Sequence, residues 1–483
     1  MTPIPASFEA QLDASPITRT MGLLWLLSAG LIALDGFDFF IIGVAMPFLQ
    51  RHFGLGATAV GAIATAAVAG SLVGSLTLGP ITDRVGRQLM LIVDVAIFVV
   101  ATAGTALAWN VASLIAFRFL VGVGIGADYP ISVSYITENV PARHRGRMVI
   151  GAFTFQAVGA LLGAVTGLVT IHLFRTLYPD SDQMAIHYAW RWMLGVGVVL
   201  AVAVAIVRLS FGLESPRYYI SRGEYAEASK AATQLLETPI AITPALEPPV
   251  SGDRPTYGTL FAPAHRRRTI LASVPWFLQD IATYGIGIFT PAIIGVLAFA
   301  GEADFMAREM GAAQGAAAVD VFLILGFLGA IALVETLGRI RLQILGFLGM
   351  AVGLGILAAS GLLPTGSRGE IGLVLAGFLV FNLMMNAGPN ATTFLLSGEV
   401  FPTAMRATGV GFAAAFAKAG AVVGTFVLPI LQKTWGVPPL LLALSGCCVL
   451  AAVVTFIFQI ETSGQPLETA AAAEIKTASL APD

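Results

Sequence analysis

Asp35 and Asp38 interrupt a long apolar run near the start of the chain. They are three residues apart, so a helix would carry both on one face. Carboxylates so placed repel each other, and a carboxyl that takes up and releases a proton can couple proton flow to other events. The other role open to such an acid is structural, as the partner of an arginine. Further along, Trp276, Asp280 and Tyr284 recur at four-residue spacing, which makes one helical stripe. Asp128 and Tyr129 stand directly before Pro130, Gln156 lies in another apolar stretch, Asn390 follows Gly388-Pro389, and Lys418 sits in a further apolar run. A lone Trp or Tyr in such a run is packing or an interface anchor. An acid, a base and several amides spread over separate runs make a polar constellation that could hold a small charged molecule. A charge buried among apolar helices is costly, so each of these needs a partner or a task.

The elements that must position these residues are membrane helices. The chain has 483 residues, 57% of them hydrophobic and 11% charged. Soluble domains carry about 25% charged residues. A bilayer core about 30 Å thick takes roughly 20 apolar residues per helical span. That rule gives about twelve spans, near 22–49, 58–80, 88–109, 111–137, 147–173, 190–211, 270–299, 314–336, 341–363, 370–396, 407–431 and 437–460. The runs are too long and too uniformly apolar for barrel strands, which alternate over about ten residues. The expected fold class is an all-α polytopic membrane protein. Its expected parts are an N-terminal six-helix bundle (1–211), a linker with short amphipathic helices (212–268), a C-terminal six-helix bundle (269–464) and a tail (465–483). Within the linker, Ser215 to Leu236 has the pattern of surface helices, and the Pro-rich stretch 238–263 that of irregular chain.

Two motifs are written twice, once in each half. Asp83-Arg84-Val85-Gly86-Arg87 is answered by Glu335-Thr336-Leu337-Gly338-Arg339. Glu138, Pro141 and Arg145 are answered by Glu399, Pro402 and Arg406 at the same spacing. Two motifs repeated in the same order mean an internal duplication, the architecture of carriers that rock one half against the other. The arginines of these loops fall on one side, which the positive-inside rule makes cytoplasmic, with both termini. Anchoring needs positive charge only and does not explain an acid matched to an arginine in each half. The pattern instead suggests a cytoplasmic gate of Asp83, Arg84, Arg87, Arg118, Glu138, Arg145, Glu335, Arg339, Glu399 and Arg406, with Asp83 also able to cap a helix N-terminus. The glycine strips Gly122-Gly124-Gly126 and Gly151-Gly159-Gly163 are expected to let helices approach closely.

The DRVGR loop resembles the signature of the major facilitator superfamily. Arg118 with Gly122, Gly124 and Gly126, then Glu138, Pro141, Arg145 and Gly146, resembles the fourth-span pattern of its sugar-porter-like branch. Glu214-Ser215-Pro216-Arg217 and Glu461-Thr462-Ser463-Gly464 extend that likeness over nearly the whole chain. It implies the major facilitator fold, with two pseudo-symmetric six-helix bundles. The intramembrane set is similar to that of the phosphate:proton symporter family, with its GDYP, WxxxDxxxY and GPN motifs; here GADYP stands in place of GGDYP. That resemblance implies a substrate region of Tyr129, Gln156, Trp276, Asp280, Tyr284 and Asn390, with Lys418 close by and Asp128 on the proton path. Leu34-Asp35-Gly36-Phe37-Asp38 resembles instead the first-span motif of aromatic-acid:proton symporters. Both resemblances imply an anionic cargo and proton coupling, in which Asp35, Asp38, Asp128 and Asp280 would handle the proton. A sugar facilitator is a third reading, though the seventh span lacks the several Gln and Asn that one needs.

Several classes are disfavoured. No nucleophile–base pair, metal-ligand cluster or phosphate loop is evident, so neither enzyme activity nor a metal or other cofactor is expected. A net charge of −2 leaves no nucleic-acid footprint. Cys447 and Cys448 are adjacent within the last run and form no disulfide framework. The expected partners are the bilayer, protons and a small anion, with the chain monomeric in a plasma or bacterial inner membrane.

Overall fold

The structure, a computed structural model, describes residues 7–179, 181–210, 212–244, 256–287, 290, 304–364, 367–402 and 405–463. Every regular element among them is helical. A short helix α1 (Phe8–Ala14) precedes six long ones: α2 (Arg19–Phe53), α3 (Ala57–Val85), α4 (Arg87–Ala106), α5 (Val111–Asn139), α6 (Ala142–Leu177) and α7 (Gln183–Ser210). The connecting segment carries α8 (Pro216–Ser221), α9 (Tyr225–Leu236) and α10 (Tyr257–Leu260). The second half contains α11 (Pro263–Gly287), α12 (Phe305–Leu337), α13 (Arg339–Ser360), α14 (Arg368–Ala387), α15 (Pro389–Val400), α16 (Arg406–Trp435) and α17 (Val437–Ile457).

Among the described residues, eleven spans are long and apolar enough to cross a bilayer, with α14 and α15 counted as one. The expected seventh span corresponds to α11, whose first turns carry Arg266, Arg267 and Arg268. Parts of that expected span, 288–289 and 291–299, lie outside the described residues, as does the tail from 464. The tenth span breaks where Pro389 removes a donor: α14 ends at Gly388 and α15 begins at the proline. One expectation needs correcting. The stretch 238–263 holds a turn of helix, α10, because Thr256 and Thr259 form a capping box around it.

The duplication is visible in the packing. In the first half α2 lies along α6, and α3 along α5; in the second, α11 lies along α16, and α12 along α14. First pairs with fifth and second with fourth in both halves. The seams between halves follow the same symmetry, with α6 against α12 and α16 against α3. Small residues permit the close crossings. A Cβ on Gly122 would strike the Ala67 carbonyl and one on Gly126 the Ser71 carbonyl, so the strip on α5 sets its approach to α3.

Both duplicated turns are built alike. Gly86 and Gly338 adopt φ of +108° and +81°, where a side chain would be strained. A glutamate from the segment after the last span of each half then caps the following helix. Glu214 accepts from the N–H groups of Arg87 (3.1 Å) and Gln88 (3.0 Å). Glu461 accepts from Arg339 (3.1 Å) and Ile340 (3.2 Å). A carboxylate here satisfies orphan donors and meets the positive end of the helix dipole. Burial pushes the Glu214 carboxyl above its ordinary range, while the N–H donors of Gln88, Ser215 and Arg87 oppose the shift. The N-terminal segment is fastened to the same end: Asp13 accepts from the Ala142 N–H at 2.8 Å, and Arg143 donates to the Ser15 carbonyl at 2.8 Å.

Candidate functional site: a closed cavity between the two halves

The seven residues expected around a cargo lie on five spans, and six of them line one cavity. Gln156 comes from α6, Trp276, Asp280 and Tyr284 from α11, Asn390 from α15 and Lys418 from α16. The side chain of the seventh, Tyr129, lies outside the described residues, as does that of Asp83. The cavity is tight, with about 30 Å³ open to the centre of a water-sized sphere, room for a few waters. Lys418 is its focus. The ammonium donates to Asp280 Oδ2 at 3.1 Å and to the Tyr284 hydroxyl at 2.7 Å, and lies 4.2 Å from the Tyr284 ring centroid. The side chains of Lys418 and Asp280 are 1% and 2% exposed, so the pair is withdrawn from water. The four-residue stripe on α11 is what lets Asp280 and Tyr284 reach one ammonium together.

Amides that the sequence reading did not single out complete the wall. Asn390 donates to Asn386 Oδ1 at 2.7 Å and accepts from Gln279 Nε2 at 3.0 Å. Thr393 donates to Gln279 Oε1 at 3.3 Å. Asn386 in turn donates to the Asn382 carbonyl at 3.0 Å. The signal was present, since Asn382, Asn386 and Asn390 recur every fourth residue through an apolar span.

The acids of the first half separate into two environments. Asp38 is neutralised by Arg118: Nη1 lies 3.1 Å from the Asp38 carbonyl and 3.4 Å from its carboxylate. Thr102 adds a contact at 3.4 Å. Arg118 was expected at the gate, and this is a correction. It lies in the first third of α5, whereas Glu138 stands at the other end of that helix, so Arg118 cannot join the gate cluster. Asp35 is buried, and its Oδ2 has no hydrogen-bond partner among the described residues. It lies in the field of Asp128 and of Asp94, an acid on α4 that the sequence reading passed over. Asp128 accepts from Ser132 at 2.6 Å. Gly36 sets the register here, because a Cβ would strike the Gln156 carbonyl. The glycine thus brings α2, with its acids, against the helix that carries Gln156.

The remaining gate residues gather at one end, and most are buried. Arg87 donates to Glu138 at 2.9 Å. In the second half Arg339 grips Glu399 through two bonds of 3.2 Å and reaches Glu335 at 2.8 Å. Arg145 and Arg406 are buried beside them, Arg145 in the field of Glu399 from the other half. A Cβ on Gly146 would approach Arg339 Nη2 to 2.9 Å, so α6 seals against the second-half cluster. Arg84 departs from the expectation. Its side chain is exposed and makes no ion pair among the described residues; only its carbonyl is engaged, by Arg222 at 3.1 Å.

Contacts between the halves close the cavity on both sides. Toward the motif end, Phe153 of α6 stacks on Phe394 of α15 at 3.7 Å between centroids. Toward the opposite end, Phe48 meets Phe305 at 5.2 Å, Thr65 meets Thr425 at 3.3 Å, and Arg175 pairs with Asp304 at 3.0 Å. Among the described residues the conformation is occluded.

Residues 25–473 match the family model described as Sugar (and other) transporter. Among curated proteins, the chain is 29% identical to the putative metabolite transport protein YaaU of Escherichia coli, covering 92% of this chain and 93% of the relative. It is 29% identical to the inner membrane metabolite transport protein YgcS of the same organism, over 95% and 96%. It is 27% identical to the probable inorganic phosphate transporter 1-6 of Arabidopsis thaliana, over 90% of each chain. Among solved structures, the proton:xylose symporter XylE superposes with a TM-score of 0.77 at 21% identity, covering 94% of this chain and 99% of that one. At that identity the likeness concerns the fold, which is that of the major facilitator superfamily.

Proposed function

Because the chain belongs to the Sugar (and other) transporter family, and is thus an integral membrane transporter and not an enzyme, we propose that it is a proton-coupled symporter of a small anion, with inorganic phosphate the leading cargo. The observation that carries this reading is the Lys418–Asp280–Tyr284 cluster on the wall of an occluded cavity. An ammonium there attracts an anion, but Asp280 already neutralises it. Cargo and carboxylate compete for one cation. A proton on Asp280 removes the competitor and hands Lys418 to the cargo. An anion and a proton then enter together, and the buried charge is the same before and after. Without the proton, two negative charges would face one ammonium in a water-poor site, a costly arrangement.

Asn390 and Gln156 supply amides for the oxyanion. Asp35 and Asp128, buried in the first half with an oxygen each unbonded among the described residues, are placed to relay the proton. Asp38, held by Arg118, has the weaker claim on that role. The motif end is cytoplasmic in this reading, and its Arg–Glu clusters hold that side shut until the halves rock. Relatives named as phosphate transporters support phosphate as cargo. The aromatic wall of Phe39, Phe40, Phe327 and Phe394 favours, as a second reading, an organic acid with a ring.

Uptake into proteoliposomes tests this. With an inward proton gradient, labelled phosphate should accumulate, and a protonophore should abolish the accumulation. Accumulation of benzoate without phosphate would move the assignment to the second reading. Equal accumulation with the gradient collapsed would remove proton coupling.

A further inference from the structure

A second cavity, with about 30 Å³ open to the centre of a water-sized sphere, adjoins the first on the side away from the motif end, and Phe40 and Leu323 line both. Its wall is mostly apolar, from Val44, Ala160, Ala164, Ala316 and Val319, but three polar side chains open into it. Asp320 of α12 is 6% exposed and has no hydrogen bond or ion pair among the described residues. It shares a helix face with Leu323, three residues on, which places the carboxyl next to the wall that the two cavities share. Asn382 of α14 gives one of its two amide N–H groups to the Phe378 carbonyl at 2.8 Å, which leaves its side-chain oxygen and one N–H for the cavity. Thr290 spends its hydroxyl proton on the Ile286 carbonyl at 3.2 Å, leaving only lone pairs.

The two cavities therefore have opposite polarity. The inner one presents an ammonium. The outer one presents mainly acceptors: a carboxyl, an amide oxygen and a hydroxyl oxygen, beside one amide N–H. The asparagine row joins them, since Asn382 lines the outer cavity while Asn386 and Asn390 line the inner one. A buried carboxyl with no partner is expensive unless something meets it. A bare oxyanion in the inner cavity would leave this group unmatched.

The geometry points to an outer subsite for hydrogen-bond donors, so that the cargo is an anion bearing a short arm of hydroxyl or ammonium groups. The anionic head sits at Lys418 and the arm reaches past Phe40 and Leu323 to Asp320 and Asn382. Phosphate monoesters and hydroxy acids of three to six carbons have this form. The inference rests on the anion-symport reading and narrows its cargo.

The test compares ligands that share a head and differ in the arm. Dissociation constants on purified protein are measured for methyl phosphate against glycerol 3-phosphate, and for butyrate against gluconate. The ligand with the arm should bind about tenfold tighter or more within at least one pair, as expected for hydrogen bonds to a buried charged group. In Asp320→Asn, and independently in Asn382→Leu, that ratio should fall toward one; the armless ligand is the internal reference in each variant. Equal binding within both pairs in the unaltered protein would overturn the outer subsite and leave anion symport standing. So would an unchanged ratio in both variants, even if Asp320→Asn altered the pH dependence of uptake, since Asp320 would then carry protons only. Binding of xylitol with none of the four anions would overturn the subsite and the anion reading together, as would binding of no ligand at all.

Discussion

Lys418 and Asp280 are each justified by the other, and this makes their variants unequal. Lys418→Met leaves a carboxyl buried without its cation, so stability should fall by about 3 kcal/mol. Asp280→Asn keeps the shape and a hydrogen-bonding oxygen for the ammonium. It should cost less stability, abolish proton-driven accumulation and retain counterflow exchange. Combining the two should restore part of the stability lost in Lys418→Met, which thermal unfolding of all three variants would measure. Counterflow lost together with accumulation in Asp280→Asn would make Asp280 part of cargo binding and not of coupling. The sequence made this pair legible as separate charges but not as a pair, because Asp280 and Lys418 lie 138 residues apart. It left Asp320 and Asp94 unremarked, although the cost of an intramembrane acid applies equally to spans eight and three. Reading the cost of every buried charge, and not only of those inside a recognised motif, would have found both.

Helix ends were the part of the fold that the motifs described best. The duplicated Gly-Arg turns, the break at Gly388-Pro389 and the surface helices after Ser215 were all visible in the chain, because glycine and proline act locally. What could not be read was which distant residue completes each turn. Glu214 and Glu461 belong to other motifs and come to Arg87 and Arg339 only through packing. Gly338→Ala meets two penalties, a positive φ and a clash with Glu461 at 2.5 Å. It should lower stability by about 2 kcal/mol, from backbone strain plus part of a lost cap. Gly61→Ala, on α3 with nothing within 4 Å of its added carbon, should instead stabilise by about 0.5 kcal/mol or more. Thermal unfolding in detergent compares them, and equal shifts would show that the turn is not constrained as described.

The halves meet along two seams, α6 with α12 and α3 with α16, and rocking requires the two ends of these seams to open in turn. Thr65 and Thr425 face each other across the second seam with their oxygens 3.3 Å apart. Thr65→Cys with Thr425→Cys, in a chain also carrying Cys447→Ala and Cys448→Ala, should cross-link under mild oxidant. The oxidised protein should lose uptake, and a reductant should return it. Uptake that survives full cross-linking would show that this seam stays shut throughout the cycle. The all-helical membrane class and the duplicated helix order followed from hydropathy and repetition alone. The seam contacts did not, since hydropathy says nothing about which small residues face a partner.

The aromatic stack of Phe153 on Phe394 and the Thr65–Thr425 contact stand at opposite ends of the central cavity. With both in place the halves touch on either side of the cavity among the described residues, so an ion would meet packed side chains there and not an open wire. Current across a planar film holding this protein would then come in whole turnovers of cargo, never as the square openings of a pore, and a cell could carry it at high density without short-circuiting its own battery.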